Sequence, residues 1–178
     1  MDNIGSVEKA TRCDDGPVRI TAKVDYAVRA ACELASRADT GPVKGDAIST
    51  AQDIPVKFLE NILAEMRRAG LVSSQRGAEG GYWLARPAAE ISVADIIRAV
   101  EGPLADVHGQ PPEQVDYRGA ATALRDVWVA TRASLRGVLE TVTVADIAAG
   151  SLPADLEGLT ADPDAWARRG ARGAAGGR

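Results

Sequence analysis

The stretch Arg76-Gly77-Ala78-Glu79-Gly80-Gly81 places one arginine and three glycines in a six-residue loop, with Tyr82 and Trp83 directly behind it. Glycine-rich loops cradle phosphates, form lids or turn hairpins, and the flanking elements decide which. A nucleotide loop follows a strand and opens a helix. Here one short apolar run (71–75) leads in and another (82–85) leads out, so the spacing predicts a hairpin. Other reactive side chains are sparse. The one histidine, His108, and the two cysteines, Cys13 and Cys32, give neither a disulfide framework nor a Cys/His zinc site. A histidine-based triad is missing, and no carboxylate pair has a helical or strand context suited to acid–base work. No catalytic residue, no metal site and no enzyme are expected. Cys32 lies in a helical pattern and is expected to pack as a small hydrophobe, with thiol oxidation as the alternative.

The chain that must position this loop has 178 residues, 46% hydrophobic, which suits one domain with an appendage. No apolar run reaches the roughly 20 residues of a membrane span. The N-terminus is too polar for a signal peptide, so a cytoplasmic protein is expected. A net charge of −4 argues weakly against nucleic acid, because a local patch matters more than the total. Residues 57–86 carry five basic side chains (Lys57, Arg67, Arg68, Arg76, Arg86) against three acidic ones (Glu60, Glu65, Glu79).

Residues 1–17 show no periodicity and are expected to form a flexible leader; 151–178, rich in Pro, Gly, Ala and Arg, are expected to be disordered. Between them the pattern is regular. Helical spacing covers 20–38, and a short helix is expected over 43–51. A third helix is expected over 55–69, with Pro55 in its first turn and Gly70 as its stop. Leu59, Ile62, Leu63 and Met66 share one face of that helix, while Lys57, Glu60, Asn61, Ala64 and Arg68 point away. Two helices joined by a tight turn, then a glycine-bearing hairpin, give the order of a winged helix-turn-helix. In that arrangement the third helix enters the major groove, and an arginine at the wing tip can enter a narrow minor groove.

A further helix starts at Ser92, with Asp95 completing a capping box, and stops at Gly102-Pro103. A long helix is expected over 118–142, where Ala121, Leu124, Trp128, Thr131, Leu135, Val138 and Val142 recur at alternating spacings of three and four. Val127 and Leu139 widen the stripe. Such a seam serves either packing within the subunit or, the reading we favour, a homodimer interface. A short helix over 143–150 is expected to dock near the first. The fold class expected is mainly α with a small β-hairpin wing: a winged helix-turn-helix domain over 18–101, then a loop and dimerisation helices over 102–150.

The stretches "ITAKVDYAVRAACELA", "IPVKFLENILAEMRRAGLVSSQRGAEGGYWLARP" and "EISVADIIRAVEGP" resemble the Rrf2 family of bacterial transcription regulators, over about 18–147. The resemblance implies a dimeric winged-helix regulator of a DNA operator. It implies DNA contacts from Lys57, Phe58, Glu60 and Asn61 on the recognition helix, and from Arg76 with Gly77, Gly80 and Gly81 in the wing. Arg67, Arg68 and Lys44 are candidates for phosphate contacts. Cluster-binding members carry three cysteines after the motif matched by "RAVEGP"; residues 104–119 contain none. No iron–sulfur cofactor is therefore expected, and the signal is left to an unidentified small-molecule effector or to Cys32. The wing also departs from the family, with Ala78-Glu79 where Pro-Gly is usual, so Glu79 is expected to face phosphate unfavourably. The expected function is a sequence-specific transcriptional regulator, most simply a repressor. The alternative is a winged-helix module that binds protein and has only weak DNA contacts.

Overall fold

The computed structural model describes residues 20–167. The expected leader (1–17) and the last residues of the expected tail (168–178) lie outside them. Helix α1 spans Ala22–Ser36 and begins where the Thr21 hydroxyl accepts the Val24 N–H, two residues later than the periodicity suggested. Its inner face is small (Ala27, Ala30, Ala31), with Val24 and Leu34 filling the ends. Small residues let α2 (Gly45–Gln52) and α3 (Val56–Arg68) pack close against it. Pro55 caps α3 rather than entering its first turn. The face expected to be buried is buried: Leu59, Ile62, Leu63 and Met66 are each at most 1% exposed.

Strands β1 (Val72–Gln75) and β2 (Gly81–Leu84) pair antiparallel, Val72 with Leu84 and Gln75 with Gly81. Val43 was expected to open α2. Instead it lies across β2 as a one-residue third strand, its N–H donating to the Tyr82 carbonyl (2.9 Å) and its carbonyl accepting the Tyr82 N–H (2.8 Å). The hairpin is thereby tied to the segment between α1 and α2.

Helix α4 (Val93–Val100) starts at the expected capping box: the Ser92 hydroxyl accepts the Asp95 N–H and the Asp95 carboxylate accepts the Ser92 N–H, both at 3.1 Å. Helix α5 covers Leu124–Leu139, shorter than expected at both ends. Gly119, at φ +60°, and a 3₁₀ turn at Gly119–Ala121 delay its start. At its end the chain turns back to pair with α4. Helix α6 (Val144–Ala149) packs on α1 as expected and opens with a second capping box, Thr143 with Asp146. The segments before the two boxes pair antiparallel: the Val93 N–H donates to the Val142 carbonyl and the Val144 N–H to the Ile91 carbonyl, each at 2.9 Å.

The tail expected to be disordered is partly helical. Helix α7 (Ala154–Thr160) carries Leu156 and Leu159, which border a small crevice with Val138 of α5 and with Val142 just beyond it. Composition suggested disorder because the chain here is rich in Pro, Gly and Ala. Two leucines at helical spacing and a neighbouring apolar ledge suffice for a short helix.

Candidate nucleic-acid interface

Burying four apolar residues of α3 leaves its opposite face in solvent. Lys57, Phe58, Glu60, Asn61, Arg67 and Arg68 are all exposed, so the fold presents every recognition-helix residue named from the sequence. At the far edge of α3 the Arg67 guanidinium donates to the Ser74 hydroxyl on β1 (3.0 Å), holding the helix against the wing. Lys44, Arg67 and Arg76 border one open cleft of about 530 Å³ with Gly45, Ser74, Gln75 and the wing glycines. No carboxylate lines it. Three cations and no carboxylate among the lining residues suit this surface to phosphate. Glu79 sits exposed on the turn and is not among the residues lining this cleft.

The wing glycines divide by role. Gly77 has φ +113°, a backbone conformation that a side chain resists, and nothing lies within 4 Å of where its Cβ would be. Gly80 and Gly81 are buried. A Cβ on Gly80 would lie 2.3 Å from the Gln75 carbonyl oxygen, and one on Gly81 would lie 2.6 Å from that of Val43. The glycine identity at these two positions is thus demanded by the close approach of protein backbone.

Helix α1 contributes groups that sequence reasoning missed. Tyr26 meets the Phe58 ring edge-on, with centroids 6.4 Å apart and planes at 70°. The Arg29 guanidinium lies 5.6 Å from the Tyr26 centroid and pairs with Asp25 at 3.1 Å. Lys23 reaches Glu65 of α3 (2.8 Å) and donates to the Val100 carbonyl at the end of α4 (2.5 Å). Helical periodicity marked the buried stripe of α1. It carried no signal that the adjoining flank braces the recognition helix.

The remaining reactive groups do not converge. Cys32 is half-buried against the core, and burial pushes its thiol pKa up, away from the reactive thiolate. Cys13 lies outside the described residues. His108 is exposed in a loop at φ +52°. Glu113 is held below the usual carboxylate range by a backbone hydrogen bond and then by Arg132, whose guanidinium lies 2.6 Å away. Among the described residues, no three His, Cys, Asp or Glu side chains come together to hold a metal ion. An iron–sulfur cluster needs thiolate ligands, and the 104–119 loop supplies none. Its donor set does not fit such a group.

A two-helix turn, an exposed recognition helix and a wing beside a cation-lined cleft define a winged helix-turn-helix DNA-binding protein. The family described as "Rrf2: Iron-dependent Transcriptional regulator" matches residues 20–150, and the chain belongs to it. Rv1287 of Mycobacterium tuberculosis (strain H37Rv), which carries an HTH-type regulator's name, is 50% identical over 145 residues, covering 82% of this chain and 90% of its own. The HTH-type transcriptional regulator CymR of Bacillus subtilis is 33% identical over 131 residues, covering 74% of this chain and 90% of its own. The solved structure of CymR, the global cysteine regulator of B. subtilis, superposes with a TM-score of 0.64 at 32% identity, over 75% of this chain and 98% of that one. T. potens IscR gives 0.60 at 31% identity, over 86% and 94%. The protein is a DNA-binding transcriptional regulator and not an enzyme. Among the described residues no helix is long and apolar enough to cross a membrane.

Proposed function

We propose that the protein acts as a cytoplasmic homodimeric repressor, placing two copies of α3 in major grooves of a two-half-site operator and Arg76 of each wing in a flanking minor groove. The observation that carries the dimer is α5. It has 16 residues and none of them is buried, while Val127 is 53% exposed and Trp128 37%. A helix with an apolar stripe and no buried side chain calls for a partner surface. Leu124, Trp128, Thr131, Leu135 and Val138 remain on the proposed interface. Val142 does not: it is only 6% exposed and packs within its own subunit, because the chain has already turned toward α4 there.

At the operator, Lys44, Arg67 and Arg68 would neutralise phosphates, while Lys57, Glu60 and Asn61 offer the charge and hydrogen-bonding groups that read base edges. An effector would sit between α4, the 102–119 loop and α5, in a cleft lined by Arg98, Arg132 and Arg136 together with Asp106 and Glu113. No iron–sulfur cluster takes part, and anaerobically purified protein should show no visible cluster absorption. Light scattering on the parent and on Val127→Asp/Trp128→Glu tests the dimer. The parent should give twice the chain mass and the variant a folded monomer with weaker operator binding. A variant that stays dimeric removes α5 as the interface.

A further inference from the structure

Phe58 is an unusual side chain for a solvent-facing helix position. It lies in the first turn of α3, is 59% exposed, and borders a shallow surface cleft with Lys23 of α1 and Asn61 and Glu65 of α3. Its ring is not loose. Tyr26 on α1 meets it edge-on at 6.4 Å, and Arg29 covers Tyr26 in turn at 5.6 Å. Two further charges pin α1 to α3 on the same flank, through the Lys23–Glu65 ion pair. The arrangement holds a largely exposed apolar ring against α1, on the flank of α3 next to its solvent face.

We infer that Phe58 is a specificity-determining residue that reads the C5-methyl group of a thymine, with Tyr26 as its positioning residue. The inference rests on α3 being the element that enters the major groove. In that groove the thymine methyl is the one apolar group on the base-pair edges, and an apolar side chain can recognise it by burying it from water. The neighbouring side chains Asn61, Glu65 and Arg68 supply charge and hydrogen bonds; Phe58 offers the larger of the two exposed apolar surfaces on α3, the other being Val56. A side chain held before binding loses less rotamer freedom on contact, so a small apolar contact survives as selectivity.

The test uses the full chain and has two stages. Selection from random duplexes first identifies an operator; failure to enrich any sequence would sink the DNA-contact reading itself, separately from this inference. Each thymine of the selected half-site is then replaced by uracil, which removes only the methyl. The parent should lose about fourfold in affinity when the contacted thymine is changed in one half-site, and about fifteenfold when it is changed in both, the value of burying one methyl group at each. Phe58→Ala should bind thymine and uracil duplexes alike at that position. Its unfolding midpoint should stay near the parent's, since the ring is largely exposed. Tyr26→Phe, which keeps the bracing ring, should preserve the discrimination, and Tyr26→Ala should reduce it. Equal binding of every uracil duplex by the parent overturns the inference. So does a thymine preference that survives intact in Phe58→Ala.

Discussion

Replacing Gly81 with alanine asks whether the second half of the wing glycine cluster is there for the fold. A Cβ at this position lies 2.6 Å from the Val43 carbonyl oxygen, 2.7 Å from the Val43 carbonyl carbon and 2.9 Å from that of Pro42. All three are backbone atoms, so the conflict is relieved only by moving the Val43 segment away from β2. That movement breaks two hydrogen bonds, Val43 N–H to the Tyr82 carbonyl and Tyr82 N–H to the Val43 carbonyl. At ~0.5–1.5 kcal/mol each, with a further cost because Val43 is buried, the loss comes to about 2–3 kcal/mol. For a chain of this size that is a fall of about 4–12 °C in Tm. Urea unfolding followed by tryptophan fluorescence reads the same loss, since Trp83 lies on β2 itself. Gly77→Ala is the control. Nothing lies within 4 Å of its Cβ, so only its φ of +113° is penalised, at about 1–2 kcal/mol. Should Gly81→Ala melt within a degree of the parent, the close approach does not explain the glycine.

Arg76→Ala should do the opposite of Gly81→Ala, costing ~1–3 kcal/mol in operator binding while leaving the melting temperature unchanged; equal affinity and an equal salt slope in fluorescence anisotropy would exclude Arg76 from the interface. Thr143→Ala removes the second capping box and should cost about 1 kcal/mol in thermal unfolding. Asp146 is held below the usual aspartate range by the Thr143 hydroxyl and then by the Thr143 N–H. Its folded pKa is depressed, so its contribution is complete above the unfolded value and is lost as pH falls through the folded one. Acid unfolding below about pH 4 should therefore be shallower in Thr143→Ala than in the parent.

The parts of this fold legible in the sequence are those set by local spacing. The stripe Leu59, Ile62, Leu63 and Met66 located α3 and so the face left in solvent. Ser92 and Asp95 marked the start of α4, because a capping box is complete within four residues. What was hidden depends on distant partners. Val43 fits an α2 helical pattern equally well, and only the presence of Tyr82 beside it makes it a strand. Tyr26 and Phe58 meet through tertiary packing, so α1 was read as a core helix alone. Val142 continues the α5 period and was assigned to the seam; its carbonyl is instead claimed by Val93, which no periodicity records. The close approach of the Gln75 and Val43 carbonyls to Gly80 and Gly81 is likewise a tertiary fact that the glycine cluster alone does not disclose.

The pairing of Val93 with Val142 bears on how a dimer would recognise its operator. The chain leaves α4, runs through the 102–119 loop and along α5, then returns to lie beside the start of α4. Val144, fully buried, fixes α6 in the core, and Lys23 ties the end of α4 to α1 and α3. The C-terminal end of α5 therefore has one orientation relative to the recognition helix. In a dimer built on α5, the distance between two α3 helices would follow from that orientation, so one half-site spacing should be favoured over others. Val93→Pro isolates the link. Position 93 is the first residue of α4, where proline is tolerated, and Ser92 already has the extended backbone that a following proline requires. The substitution removes the N–H that holds the Val142 carbonyl, at a stability cost of ~0.5–1.5 kcal/mol. Binding to duplexes whose half-sites are moved apart in single base pairs should show a broader spacing tolerance in Val93→Pro than in the parent. An unchanged spacing profile, in a variant shown by circular dichroism to retain its helices, would mean that the α4–α6 pairing does not set the geometry of the dimer.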